Sequence, residues 1–257
     1  MIPKIIHYCW LSDEIIPAKL QKCINSWHEN LPQYEIKRWS TQNFDVNSVP
    51  LVKQAYEEKK WAFAADYIRL YALYTEGGIY LDSDVMLYGD LSSLFDADFI
   101  SAVEYHPTIN DKRTNIDLLD NNCNRIGSNK KVFGIGIQAA VLASCKGHPF
   151  LKKCLDFYEN YSLDNLLKER LTAPTVLAYN AESYGYTYQN KEQRLQESIH
   201  LYSTKLISNF DQKNKKSLAV HYCAGSWVKK TKYRQFIRFL NRYKVYRIFR
   251  DCIKKMI

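Results

Sequence analysis

Short β-branched runs alternate with stretches of three- and four-residue apolar spacing along the first hundred residues. Ile2–Trp10 is apolar, bounded by Pro3 and by Ser12-Asp13, and predicts a first strand. Pro17 opens a helix that carries Leu20, Cys23, Ile24 and Trp27 on one face. Tyr34–Trp39 alternates and predicts a second strand. Val49–Lys60 follows Ser48 as a short helix. Trp61–Thr75 (WAFAADYIRLYALYT) predicts a third helix, closed by Gly77-Gly78 as a left-handed cap. Ile79-Tyr80-Leu81 is a strand that runs straight into Asp82-Ser83-Asp84, and Phe99–Glu104 is another.

Residues 107–131 are rich in Asn, Asp, Lys and Arg and read as a long surface loop placed to lie over a site. Val132–Ala143 is strand-like. Pro149–Tyr161, Leu163–Leu171 and Thr172–Asn180 predict helices, and Ile199–Ser203 and Leu218–His221 predict late short strands. Strands and helices that alternate early and mix later indicate an α/β fold with a mixed, mainly parallel sheet. Ligands of such sheets sit at the carboxyl ends of the strands, where Asp82 and Asp84 fall.

A length of 257 residues suffices for one large core, and 46% hydrophobic with 25% charged residues excludes wholesale disorder. No apolar run reaches the ~18 residues of a membrane span, and the N-terminus lacks the pattern of a secretory signal. Seven cysteines, none in a Cys-x-x-Cys pair, point to buried free thiols in a reducing compartment rather than a disulfide framework. The net charge of +9 is unevenly spread: residues 229–257 hold eleven Lys/Arg and one acid, a balance of +10 that leaves −1 for residues 1–228. A two-part organisation follows, a near-neutral body over 1–228 and a basic tail over 229–257. In the tail Tyr233, Phe236, Ile237, Leu240, Tyr243, Tyr246 and Phe249 recur at helical steps. This basic amphipathic helix suits an anionic membrane surface. Docking on the body with a solvated basic face is the alternative. The neutral body opposes nucleic-acid binding.

Asp82 and Asp84, two apart on an extended backbone, point to one side. Such hard oxygen ligands suit a divalent cation that can hold a diphosphate. A second copy of the spacing, Asp96-Ala97-Asp98, sits in a loop-like stretch without a ligand-binding context. Helix Trp61–Thr75 is apolar nearly all round, and its only charges are Asp66 and Arg69, spaced i,i+3. Buried charges cost several kcal/mol each unless paired or used. They form either a self-satisfied ion pair or a polar notch beside Asp82.

These residues carry a resemblance. IPKIIHYCW, FAADYIRLYALYTEGGIYLDSDV and HYCAGSW resemble the DXD-containing glycosyltransferases of family 32. That family includes bacterial capsular and O-antigen enzymes and the yeast outer-chain mannosyltransferase, and it shares a core with clostridial glucosylating toxins. The resemblance runs from residue 2 to about 105 and returns at Phe133–Phe150 and Val220–Trp227. It implies a GT-A fold, a nucleotide-sugar donor (UDP first, GDP second), Mn²⁺ or Mg²⁺, and retention of anomeric configuration.

Carried over by position, the resemblance makes Asp66 and Arg69 contacts to the donor sugar. Asp82 faces ribose, sugar and metal, and Asp84 is a direct metal ligand. Trp10 would stack on the base, with His7 and Tyr8 nearby. His221 becomes the third metal ligand, a role that a neutral imidazole fills well. Ser226 and Trp227 become donors to the diphosphate, and Gly225 permits a close backbone approach. FGIGIQ, Phe133–Gln138, departs from a family segment that often carries Asn before its Gly residues, and Gln138 would contact sugar or acceptor instead. The implied reaction is metal-dependent sugar transfer to a saccharide acceptor, lipid-linked, in capsule or O-antigen synthesis. It would occur at the cytoplasmic face of the inner membrane, with the tail as peripheral anchor. The competing readings are an effector-like transferase that modifies a protein, and a non-catalytic nucleotide-sugar-binding protein. Both motif carboxylates are present, which opposes the latter. Donor sugar, linkage and oligomeric state are open at this level.

Overall fold

In the computed structural model, which describes residues 1–106, 116–127 and 131–224, the chain opens with strand β1 (Ile5–Cys9), helix α1 (Ala18–Asn30) and strand β2 (Glu35–Trp39). Helices α2 (Pro50–Glu57) and α3 (Trp61–Glu76) precede β3 (Gly78–Leu81), β4 (Val85–Leu87) and β5 (Phe99–Tyr105). Then come β6 (Ile135–Ile137), β7 (Val141–Ser144), α4 (Pro149–Glu159), α5 (Leu163–Lys168) and α6 (Ala173–Ala181). The described chain closes with β8 (Gln193–Leu195), β9 (Ile199–Tyr202), β10 (Ile207–Asn209) and β11 (Ala219–His221).

The main sheet has the order β2-β1-β3-β7-β5-β9-β8, with β6 paired to β5. The β2–β1, β1–β3 and β5–β9 pairs are parallel, and β7 runs antiparallel between β3 and β5. A second, three-stranded sheet, β10-β11-β4, grows from the strand that follows Asp84. The layout is α/β, as expected, with a mixed main sheet and a small second sheet. Among the described residues, no helix is long and apolar enough to cross a membrane.

Alternation along the strands divides the core. In β3, Tyr80 joins the cluster under α2–α6, while Ile79 and Leu81 join the opposite cluster with Ile24 and Trp27 of α1. Helix α3, apolar on most of its surface, is largely buried, with Ala64, Tyr67, Ile68, Leu70, Ala72 and Leu73 all in the core. Helix α1 is tied to β4 by Trp27, whose indole N–H donates to the Val85 carbonyl at 2.8 Å.

Several expectations need correction. The first strand begins only at Ile5, because Pro3 has no N–H to donate. The Gly77 cap has φ 71° and ψ −169°, a positive-φ but extended conformation rather than a left-handed helical one. It turns α3 directly into β3. The single strand over 132–143 is two strands, β6 and β7, broken at Gln138-Ala139-Ala140. Helix α5 stops at Lys168, and Arg170 takes a positive φ of 56°. Strands β4, β8 and β10 were not anticipated. Within 107–131, residues 117–127 form a turn built on Asp120, which accepts from the Asn122 and Asn124 amides. Arg125 locks it to Glu182 with two 2.7 Å bonds. Met1–Cys223 form one compact unit. The boundary at 228/229, the tail, and Gly225, Ser226 and Trp227 lie outside the described residues.

Candidate metal and donor site

The carboxyl end of β3 supplies the first ligands. Asp82-Ser83-Asp84 is not extended as expected. The Val85 amide donates to the Asp82 carbonyl at 2.8 Å, which closes a β-turn between β3 and β4. The Asp82 amide donates to the Ala140 carbonyl at 2.9 Å, so the break in the β6–β7 segment fixes the start of this turn. The turn still brings both carboxylates to one place. Pairing of β11 with β4 sets His221 opposite Val85, directly after the motif. His221 Nε2 lies 3.3 Å from Asp84 Oδ1 and 3.9 Å from Asp82 Oδ2. The three residues offer ligand atoms all within 4.8 Å of one another.

Two hard carboxylates and one imidazole, half-buried and convergent, fit Mn²⁺ or Mg²⁺ as a donor set. Without the ion the imidazole takes a proton. Burial opposes that charge, but the hydrogen bonds to Asp84 and Cys223 outweigh it and lift the His221 pKa well above its ordinary value. A cation bound by these three residues would displace this proton.

Next to this cluster lies Arg69, 5% exposed. Its Nη2 is 2.8 Å from Asp66 Oδ1 and 3.4 Å from Asp82 Oδ1. Nη1 donates to the Ala139 carbonyl at 2.7 Å and Nε to the Ala65 carbonyl at 3.2 Å. The guanidinium also lies 4.9 Å from the centre of the Tyr80 ring. The two alternatives for this helix thus merge: Asp66 and Arg69 are a buried ion pair, and that pair reaches Asp82. Burial raises the Asp66 pKa to about 6, against the pull of Arg69 and with the push of Asp82.

Tyr80 had no part in the sequence reading. Its hydroxyl donates to Asp82 Oδ1 at 2.9 Å. The signal was present, since an expected strand running into Asp82 places residues 80 and 82 on one side. Asp82 is therefore oriented by Arg69 and Tyr80 together.

The remaining predicted residues fall differently. Trp10 follows β1 at the same sheet edge and is half-buried, with its indole N–H donating to the Glu14 carbonyl at 2.8 Å. His7 departs from its expected place beside the base. It is fully buried, its Nε2 donates to the Gly77 carbonyl at 2.8 Å, and its Nδ1 accepts from the Trp39 indole at 3.0 Å. Burial lowers its pKa, so it is a neutral imidazole that ties the α3–β3 junction to β2. Gln138 also departs from expectation. It is 2% exposed, and its amide is spent on the Ala140 N–H and on Asn209. Asn209 in turn donates to Glu104, which bonds His106. This inner network, unforeseen in sequence, supports the strand position opposite His221.

Asp96, of the second Asp-x-Asp, pairs with His200 and Arg194 and has no part in the cluster. Of the described cysteines Cys23 and Cys154 are buried as expected, whereas Cys9, Cys123 and Cys145 are half-buried and Cys223 is exposed, 3.5 Å from His221 Nδ1.

Comparison with known proteins bears on the same segment. Residues 17–101 match the model of the glycosyltransferase sugar-binding region containing the DXD motif. The chain is 29% identical over 185 residues to inositol phosphoceramide mannosyltransferase 3 of Schizosaccharomyces pombe, covering 69% of this chain and 44% of that protein. It is 34% identical over 94 residues to an uncharacterized Arabidopsis thaliana protein, covering 37% of this chain and 10% of that one. The chain thus spans less than half the length of both curated relatives. Mouse xyloside xylosyltransferase 1 aligns in structure with a TM-score of 0.49 at 10% identity, over 87% of this chain and 99% of that one. The matched stretch, residues 17–101, includes Asp66, Arg69, Asp82 and Asp84.

Proposed function

We propose that this protein is a metal-dependent glycosyltransferase that moves a sugar from a nucleotide-sugar, a UDP-sugar first of all, to a saccharide acceptor. The observation that carries this reading is the convergence of Asp82, Asp84 and His221 above the buried Asp66–Arg69 pair. In this reading, Asp82, Asp84 and His221 hold Mn²⁺ or Mg²⁺. When bound, the ion supplies positive charge against the diphosphate that leaves. Arg69 and Tyr80 keep the Asp82 carboxylate in place before substrate arrives, so little reorganisation is needed during reaction. Asp66 accepts from sugar hydroxyls through the oxygen that Arg69 leaves open. Trp10 stacks on the base, and Ser226 and Trp227 donate to the diphosphate.

Transfer proceeds with retention by same-face attack. The acceptor hydroxyl attacks the anomeric carbon, and the departing phosphate takes its proton. Trapping of a covalent glycosyl-enzyme adduct would replace this route with a double displacement. The acceptor is a lipid-linked oligosaccharide of capsule or O-antigen synthesis, and the 229–257 tail holds the enzyme at the cytoplasmic face of the inner membrane.

Thermal unfolding against a panel of UDP- and GDP-linked nucleotides and sugars, with and without Mn²⁺, tests the reading. A ligand at about 100 times its Kd adds about 2.7 kcal/mol of stability. We expect one nucleotide to raise the midpoint only with Mn²⁺, and Asp84→Asn to abolish the rise. The absence of any shift with any nucleotide and either metal overturns the reading.

A further inference from the structure

The second sheet carries an exposed aromatic cluster that sugar transfer does not use. In β4, Val85 and Leu87 face the core, and Tyr88, next along the chain, is 44% exposed. Phe210, after β10, is 38% exposed. Tyr222, after β11, joins the two. Its hydroxyl bonds that of Tyr88 at 2.8 Å, and its ring lies 5.0 Å from that of Phe210 at 32°. The Lys213 ammonium sits 3.8 Å from the centre of the Tyr88 ring. Gly89 allows this packing, since a Cβ there would meet Leu218 Cδ2 at 2.8 Å.

The segment around Phe210 is predominantly positive. Lys205, Lys213, Lys215 and Lys216 are all exposed, and between Thr204 and Ser217 the acid is Asp211 alone, a balance of +3 in a body that sums to −1. The two lysine-bearing segments form one unit, because Asn214 Nδ2 and Ser217 Oγ both donate to the Lys205 carbonyl, at 3.0 and 3.2 Å.

Aromatic rings with polar tips settle at the level of lipid headgroups, and ammonium groups beside them are drawn to anionic lipid. A sugar-stacking platform needs a free ring face. Here Lys213 stands over one face of Tyr88, and Phe210 packs beside Tyr222. We propose that this face of the second sheet, Tyr88, Phe210 and Tyr222 with their lysine rim, is a membrane-contact surface for an anionic bilayer, separate from the basic tail. The same strands carry the metal cluster: Asp84 precedes β4 and His221 ends β11. Contact here sets that cluster close to the headgroups. The surface stands on its own residues, so its failure would leave the transferase reading intact.

The test uses the full chain, sedimented with vesicles of phosphatidylcholine and phosphatidylglycerol (3:1) and with phosphatidylcholine alone. The triple variant Lys213→Glu, Lys215→Glu, Lys216→Glu should lose at least tenfold in partitioning onto the anionic vesicles. The double variant Tyr88→Ser, Phe210→Ser should lose several-fold. Both should keep the parent melting temperature. In the parent chain, anionic vesicles should slow hydrogen exchange across residues 205–222. Parent-like partitioning of the triple variant, or unaltered exchange across 205–222, overturns the proposal. So does lysine-dependent retention by duplex DNA in place of vesicles.

Discussion

Arg69 commits each of its three guanidinium nitrogens to the protein, and two carboxylates depend on it. Arg69→Ala leaves Asp66 and Asp82 without their buried cation, a change that costs about 3–5 kcal/mol. Arg69→Lys recovers only part, since a point charge cannot replace the planar fork. Urea midpoints of the two variants test this order. Asp66 adds a pH signature. Its pKa of about 6 in the folded chain lies above the ordinary 3.8, so the folded state holds the proton more tightly. The resulting stability is complete below about pH 4 and is lost as pH rises through about 6. Asp66→Asn should flatten the stability profile across that window, and a parent profile already flat there would refute the assignment. Much of this site was legible in the sequence, because Asp66, Arg69, Asp82 and Asp84 are charges set in apolar surroundings. His7 was not: a buried histidine with both nitrogens satisfied looks the same in sequence as one that faces a ligand.

At the scale of elements, the α3–β3 junction determines where the Asp-x-Asp turn starts. Gly78 has φ +105°, and a Cβ there would sit 2.5 Å from the Ile5 carbonyl oxygen. Gly147 has φ +76° but open space around it. Gly78→Ala therefore combines backbone strain with a clash that pushes β1 from β3, and should cost more than about 2 kcal/mol. Gly147→Ala carries the strain alone, about 1 kcal/mol. Equal midpoints for the two variants would contradict this account. The long periodic elements, α1, α3 and α4, were legible from spacing. The three-residue strands β4, β8 and β10 were not, because so few residues show no period. Their pairing comes from distant partners, as when β11 joins β4 and delivers His221 to Asp84. The break at Gln138-Ala139-Ala140 was equally hidden, since two of its hydrogen-bond partners, the Asp82 amide and Asn209, are distant in sequence.

For the whole molecule, charge divides the chain into two unequal parts. Residues 229–257 hold +10 of the net +9, and the body is left at −1. Removal of this segment should lower partitioning onto anionic vesicles at least tenfold and blunt its salt dependence, while nucleotide binding persists. Unchanged partitioning would remove the tail from the anchoring scheme. The architecture has a further consequence during synthesis. Asp82 and Asp84 leave the ribosome early, whereas His221 closes the described chain, and the small sheet that joins them cannot form until β11 has emerged. A nascent or prematurely terminated chain thus displays two lone carboxylates and no third ligand. If these residues hold the cation we propose, a fragment that stops short of β11 lacks one of its three ligands.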